Sequence, residues 1–157
     1  MAQTQALEGL GSASPISLRG ADAGRFRQIM QYAVGRSLNQ RPLGEIVQAI
    51  AHQLLGSTYR PNLLERSRQE DLVVSLTQFD CVLFVETVLA LAKGVAVQDY
   101  SDLSFMARLQ NQRYREGRLN GYCSRLHYFS EWISDNQQRG NVLNLTAQLG
   151  GSSLRKP

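Results

Sequence analysis

The stretch from Asp80 to Ala92, DCVLFVETVLALA, constrains the fold more than any other. From Val82 to Ala92 only Glu86 and Thr87 interrupt the apolar run, so a helix built here is hydrophobic on nearly every side. Such a helix must be enclosed by other elements, which makes it the centre of its domain. The spacing predicts a helix from Cys81 to about Lys93, ended by Gly94. The run is too short to cross a bilayer, which takes about 20 apolar residues, so no membrane span is expected.

Four further helices are expected around it. Phe26, Ile29, Met30, Ala33 and Val34 recur at helical spacing over 22–36, with Asp22 as N-cap. Leu43, Ile46, Val47, Ile50 and Leu54 mark a second helix opened by Pro42 and closed by Gly56. A third starts behind Ser101, carries Leu103, Met106 and Leu109, and stops at Gly117. The fourth follows the turn pair Asn120-Gly121, turns Leu126, Phe129, Trp132 and Ile133 inward, and stops at Gly140. Strands are expected at 72–78 (LVVSLTQ) and 141–149 (NVLNLTAQL), with 56–71 as a polar loop. Two strands make a poor sheet by themselves. The expected class is therefore α+β and mostly helical.

A chain of 157 residues is one domain, with 1–20 as a flexible lead-in and 21–157 as the folded part. Residues 1–20 have neither a basic nor an apolar segment, so no export signal is read in the chain as given. The net charge of +4 raises nucleic acid as a partner, but the arginines are scattered and no basic stripe with interleaved aromatics forms. No nucleic-acid partner is expected. Two cysteines, Cys81 and Cys123, are too few for a disulfide scaffold, and both are expected as free thiols. There is no CxxC or HExxH, so neither a metal nor another cofactor is expected.

Cys81 is the first candidate for chemistry. At a helix N-terminus, unsatisfied amides and the helix dipole favour thiolate and can face a developing oxyanion. A buried structural cysteine is the competing reading, and a sulfur near the surface is what catalysis requires. His127, within Tyr122, Ser124, Arg125, His127 and Tyr128, is the candidate base; a helix-capping or surface histidine is the alternative. His52 reads as a bystander within its helix, and Tyr59 as a loop aromatic.

Three segments together carry a resemblance: GSTYRPNLLE, FDCVLFVETVLALA and YREGRLNGYCSRLHYFSEWISDN. In order and spacing they resemble the N-acetylmuramoyl-L-alanine amidase-like family of NlpC-type, papain-like cysteine amidases, over about residues 25–151. The resemblance implies Cys81 as nucleophile, with Tyr59 facing the active site and Glu65 at the acidic end of its loop. It also implies that Tyr122, Ser124, Arg125 and His127 border the substrate groove and that Tyr59 and 122–127 converge on Cys81. The implied substrates are peptidoglycan fragments (muropeptides), cut between the lactyl group of muramic acid and L-alanine. The implied location is the periplasm or cell envelope.

Two departures accompany it. Val82 and Leu83 stand where hydroxyl residues are expected, and no Ser/Thr-His-Val-Gly-like strand follows residue 128. The chain therefore reads as the N-terminal, mostly helical half of such an enzyme, with the catalytic histidine of this enzyme type outside it. Two consequences are expected: little activity from this chain alone, and self-association through an uncovered flank of the central helix. The alternative reading is a non-catalytic cell-wall glycan- or peptide-binding module on the same scaffold.

Overall fold

A computed structural model describes residues 17–66 and 68–152. Among the described residues five α-helices and two very short strands, with short 3-10 turns between them, make up the α+β fold. They are α1 (Gly20–Gly35), α2 (Leu43–Gln53), β1 (Thr58–Tyr59), β2 (Gln78–Phe79), α3 (Cys81–Ala96), α4 (Asp102–Arg113) and α5 (Phe129–Gln138). Helix α3 is central as its composition demands, packed between α2 and α4. Leu83, Val88, Ala90, Leu91, Ala92 and Val95 are all buried. The Phe26 and Phe105 rings, 5.5 Å apart, join α1 to α4 over the same core. No helix among the described residues is long and apolar enough to cross a membrane. Val82, Phe84, Val85 and Leu89 are half-buried, so one flank of α3 is incompletely covered, whereas Val88 is enclosed.

The strand expected at 72–78 survives only at its end, in Gln78 of β2, and that at 141–149 does not form, because backbone groups there are engaged by other partners. In 72–78, the Leu76 N–H donates to Asp22 Oδ1 at 2.7 Å, and the Val73 carbonyl accepts from Arg113. Ser75 Oγ accepts from the Thr77 and Gln78 amides. Groups satisfied by side chains are not free for a ladder. Only Gln78 and Phe79 pair, in parallel with Thr58 and Tyr59. In 141–149, the Asn141 amide returns to the Asn136 carbonyl and the Asn144 amide to the Gln137 side chain, while Leu149 N–H closes a turn on Leu145. That segment folds as turns.

Helix boundaries shift for similar reasons. Asp22 is not the cap of α1, which starts at Gly20 behind Arg19, because the Asp22 carboxylate serves the 72–79 segment. Helix α3 continues past Gly94 to Ala96. A Cβ at Gly94 would lie 2.8 Å from Arg108 Nη1 and 2.9 Å from the Asp99 carbonyl, so this glycine admits a close approach instead of ending the helix. Helix α4 ends at Arg113, and Tyr114 pairs with Arg125 in a single antiparallel bridge. Residues 122–124 form a short 3-10 turn ahead of α5. The lead-in assigned to 1–20 lies largely outside the described residues.

Candidate functional site

Cys81 is the first residue of α3, and its side chain is exposed. Asp80 caps this helix, its Oδ1 accepting the Leu83 N–H at 2.9 Å. That leaves the Cys81 and Val82 amides, in the first turn, without an intrahelical partner. An exposed thiol beside two such amides is a geometry in which a nucleophile and an oxyanion donor coexist. Cys123 is also free and exposed, on the 122–124 turn.

Tyr59 reaches this end of α3 through the small sheet. Its partner on β2 is Phe79, two residues before Cys81, and the Arg60 N–H donates to the Phe79 carbonyl at 2.8 Å. The Tyr59 side chain itself is 70% exposed. Beyond it, the loop turns through a 3-10 segment at Leu63–Glu65.

The 122–127 segment is compactly organised. The His127 ring sits 4.2 Å from the Tyr122 ring, centroid to centroid, and His127 Nε2 lies 2.8 Å from the Tyr122 carbonyl oxygen. A carbonyl can only accept, so in neutral His127 the proton is on Nε2 and Nδ1 is the nitrogen left to act as a base. Ser124 Oγ is held inside its own turn, accepting from the Asn120 amide and donating to the Gly121 carbonyl. The Arg125 guanidinium lies over the Tyr122 ring, 5.2 Å from its centroid. Among the described residues no hydrogen bond joins His127 to Cys81.

Arg125 ties this segment to the Tyr59 loop. Its Nη2 is 2.7 Å from Glu65 Oε1, and its Nε is 2.9 Å from Glu70 Oε1. The second is a charge contact rather than an aligned hydrogen bond. Glu70 Oε1 also accepts from the Tyr114 hydroxyl at 2.9 Å. Burial, reinforced by that carboxylate, raises the Tyr114 phenol above its usual range.

A second network ties the segment to α3. Glu86 lies one and a half turns from Cys81 with its side chain only 1% exposed, and it receives Arg113 Nε at 2.8 Å and Trp132 Nε1 at 3.0 Å. Burial pushes the Glu86 carboxyl up, while Arg113 and the indole N–H pull it back. The Gln112 side-chain amide donates to the Glu86 carbonyl, and Asn136 Nδ2 donates to the Gln112 carbonyl at 2.8 Å. The Leu126 N–H donates to the Arg113 carbonyl at 3.0 Å. Sequence reasoning missed Glu86, Arg113, Glu70 and Tyr114. One signal was present: Glu86 is a carboxylate inside an otherwise apolar helix, and a charge there requires a buried partner.

Among the described residues no three His, Cys, Asp or Glu side chains gather as a metal site would need. In chemical terms the chain offers an exposed thiol beside first-turn helix amides, and exposed Tyr59 and Tyr122 on segments tied together through Arg125 and Glu65.

No curated protein is significantly similar to the chain. Among solved structures, an N-acetylmuramoyl-L-alanine amidase from Bacteroides uniformis is 34% identical, with a TM-score of 0.58 over 62% of this chain and 41% of its own. A Bacteroides fragilis protein provisionally named a xylanase is 38% identical, with a TM-score of 0.55 over 59% of this chain and 40% of its own. A Legionella pneumophila protein is 25% identical, with a TM-score of 0.59 over 80% of this chain and 42% of its own. The chain spans about two fifths of the length of these structures. The model of the AmiA-like, N-acetylmuramoyl-L-alanine amidase-like family matches residues 49–157, which include β1, the capped start of α3 and the 122–127 segment. The chain therefore belongs to the AmiA-like, N-acetylmuramoyl-L-alanine amidase-like family.

Proposed function

We propose that this chain carries the nucleophile-bearing, mostly helical part of an NlpC-type, papain-like cysteine amidase that acts on peptidoglycan in the cell envelope. The observation that supports it best is Cys81 as the exposed first residue of the capped central helix, within a segment matched by the amidase-like family. The thiolate of Cys81 attacks the lactyl amide carbonyl of a muropeptide. The resulting oxyanion takes hydrogen bonds from first-turn amides of α3, and the C–N bond breaks as the departing amine of L-alanine gains a proton. Water then hydrolyses the thioester and returns the thiol. Tyr59 and Tyr122 line the groove, Ser124 shapes its turn, and Arg125 holds the two walls together through Glu65 and Glu70.

The acid–base group is a histidine. In this enzyme type it is held on a strand after the cysteine helix; within this chain the alternative is His127, acting through Nδ1. A non-catalytic muropeptide-binding module is the second reading, favoured by the engagement of His127 with Tyr122 and of Arg125 with two carboxylates. Both schemes are tested by assaying the purified chain and a Cys81→Ala variant on muropeptides. Turnover abolished by Cys81→Ala and by His127→Gln assigns the base to His127. Binding without turnover, with Cys81 no more reactive to iodoacetamide than Cys123, supports the module, and turnover that survives Cys81→Ala overturns the cysteine mechanism. The half-buried Val82, Val85 and Leu89 further support concentration-dependent self-association of the isolated chain, measurable by sedimentation.

A further inference from the structure

Between the end of α1 and the outer face of α2 lies an open cleft of about 520 Å³, within the size range of small-ligand sites. Its walls include Tyr32, Arg36, Arg41, Glu45, Gln48 and His52. The chain reverses between the two arginines at Ser37, which has φ 49° and ψ 41°. A serine in the left-handed region is a strained choice where glycine or asparagine is easier, and such strain persists only where the surroundings fix it. That reversal sets Arg36 and Arg41 on the walls of one cleft. Arg36 lies over the Tyr32 ring, 5.7 Å from its centroid, so cation and aromatic face are presented together.

The ordinary reading of exposed arginines is a solvated surface, and for Arg36 a favourable charge at a helix C-terminus. Three features go beyond it. Two guanidiniums share the cleft with a single carboxylate, Glu45. The Arg41–Glu45 contact is 3.8 Å long with both side chains more than half exposed, so it holds Arg41 only weakly. Tyr32, half-buried, and Gln48 add a flat apolar face and an amide beside the charges, a combination suited to a carboxylate carried on a sugar or peptide.

We propose that this cleft is an ancillary binding site for the carboxylate of a peptidoglycan stem peptide. The guanidiniums grip the carboxylate and Tyr32 packs against the adjoining chain. The inference rests on the peptidoglycan reading above and concerns residues outside the Cys81 segment. It gives a role to His52 as a wall of the cleft.

The test is a titration of the ¹⁵N-labelled chain with N-acetylmuramoyl-L-alanyl-D-isoglutamine, with uncharged triacetylchitotriose and with acetate. The expected result is shifts at Tyr32, Arg36, Arg41 and His52 with the muramoyl peptide and not with triacetylchitotriose. Arg36→Ala and Arg41→Ala should each weaken this binding about tenfold, the scale of one charge-assisted contact. Arg27→Ala, the same charge change at an exposed position of α1 outside the cleft, should leave it unchanged. Three results overturn the inference: shifts confined to the neighbourhood of Cys81, equal binding of acetate, or equal loss in Arg27→Ala. The amidase reading is decided separately, by Cys81-dependent turnover.

Discussion

Arg113 Nε lies 2.8 Å from Glu86 Oε2, and each side chain is 1% exposed. This pair joins the last residue of α4 to the central helix that begins at Cys81, and α5 closes over it through Trp132. Removing one member of a buried pair is costly because the other is left without a partner, typically about 3–5 kcal/mol. Arg113→Met should lower unfolding stability by that amount in urea titrations. Arg113 also donates to the Val73 carbonyl, so exchange of amides in 72–79 should accelerate in the same variant.

The pH dependence of this pair has a defined sign. Burial lifts Glu86 above its ordinary value of 4.5, so between 4.5 and the folded-state value the native protein binds the proton more tightly than the unfolded chain. The stabilisation from this group is fully present below pH 4.5 and is lost as pH rises through the folded-state value. Glu86→Gln cannot titrate there. The stability of the wild type relative to Glu86→Gln should therefore fall from pH 4 to pH 7.5, read from urea midpoints at each pH.

The two ion pairs of Arg125 should differ in weight. Glu65 is 47% exposed and its contact is solvent-screened, whereas the Glu70 side chain is 5% exposed. Glu65→Gln should cost less than about 1 kcal/mol. Arg125→Ala, which strands Glu70 beside Tyr114, should cost about 3–5 kcal/mol. Protease nicking within 60–71 should follow the same order.

Both thiols are exposed, so Cys123 serves as an internal reference for Cys81. At pH 7 iodoacetamide should label Cys81 faster, because it heads a long helix whose N-terminal amides attract negative charge, whereas Cys123 sits in a short 3-10 turn. Peptide mass spectrometry over a time course gives the two rates. Equal rates would remove the support that helix position lends to the nucleophile.

Gly94→Ala should destabilise by about 1–3 kcal/mol, the usual range for forcing an atom into packed space. The added Cβ would press on the Asp99 carbonyl and on Arg108, which pairs with Asp99. Thermal unfolding of the variant checks this.

The residue pattern alone was enough for the existence of five helices, because apolar positions at helical spacing are a local signal, although Leu126 precedes α5 and Phe129 is exposed on it. It also determined that α3 is central, since a helix apolar on all sides has no stable place at a surface, and that the chain is similar to an amidase family. Packing of distant segments settled where polar groups find their partners. Residues 72–78 have the composition of a strand, yet Asp22, Ser75 and Arg113 take their backbone groups, from up to 54 residues away. Gly94 has the look of a helix stop and is a contact point for the Asp99 backbone. Arg113 and Arg125 are two among many scattered arginines in the sequence, and burial against Glu86 and Glu70 makes them struts of the candidate site. A side chain's periodicity is written in its neighbours along the chain, whereas the partner of a buried charge is fixed only when distant segments pack, because desolvation then makes pairing obligatory.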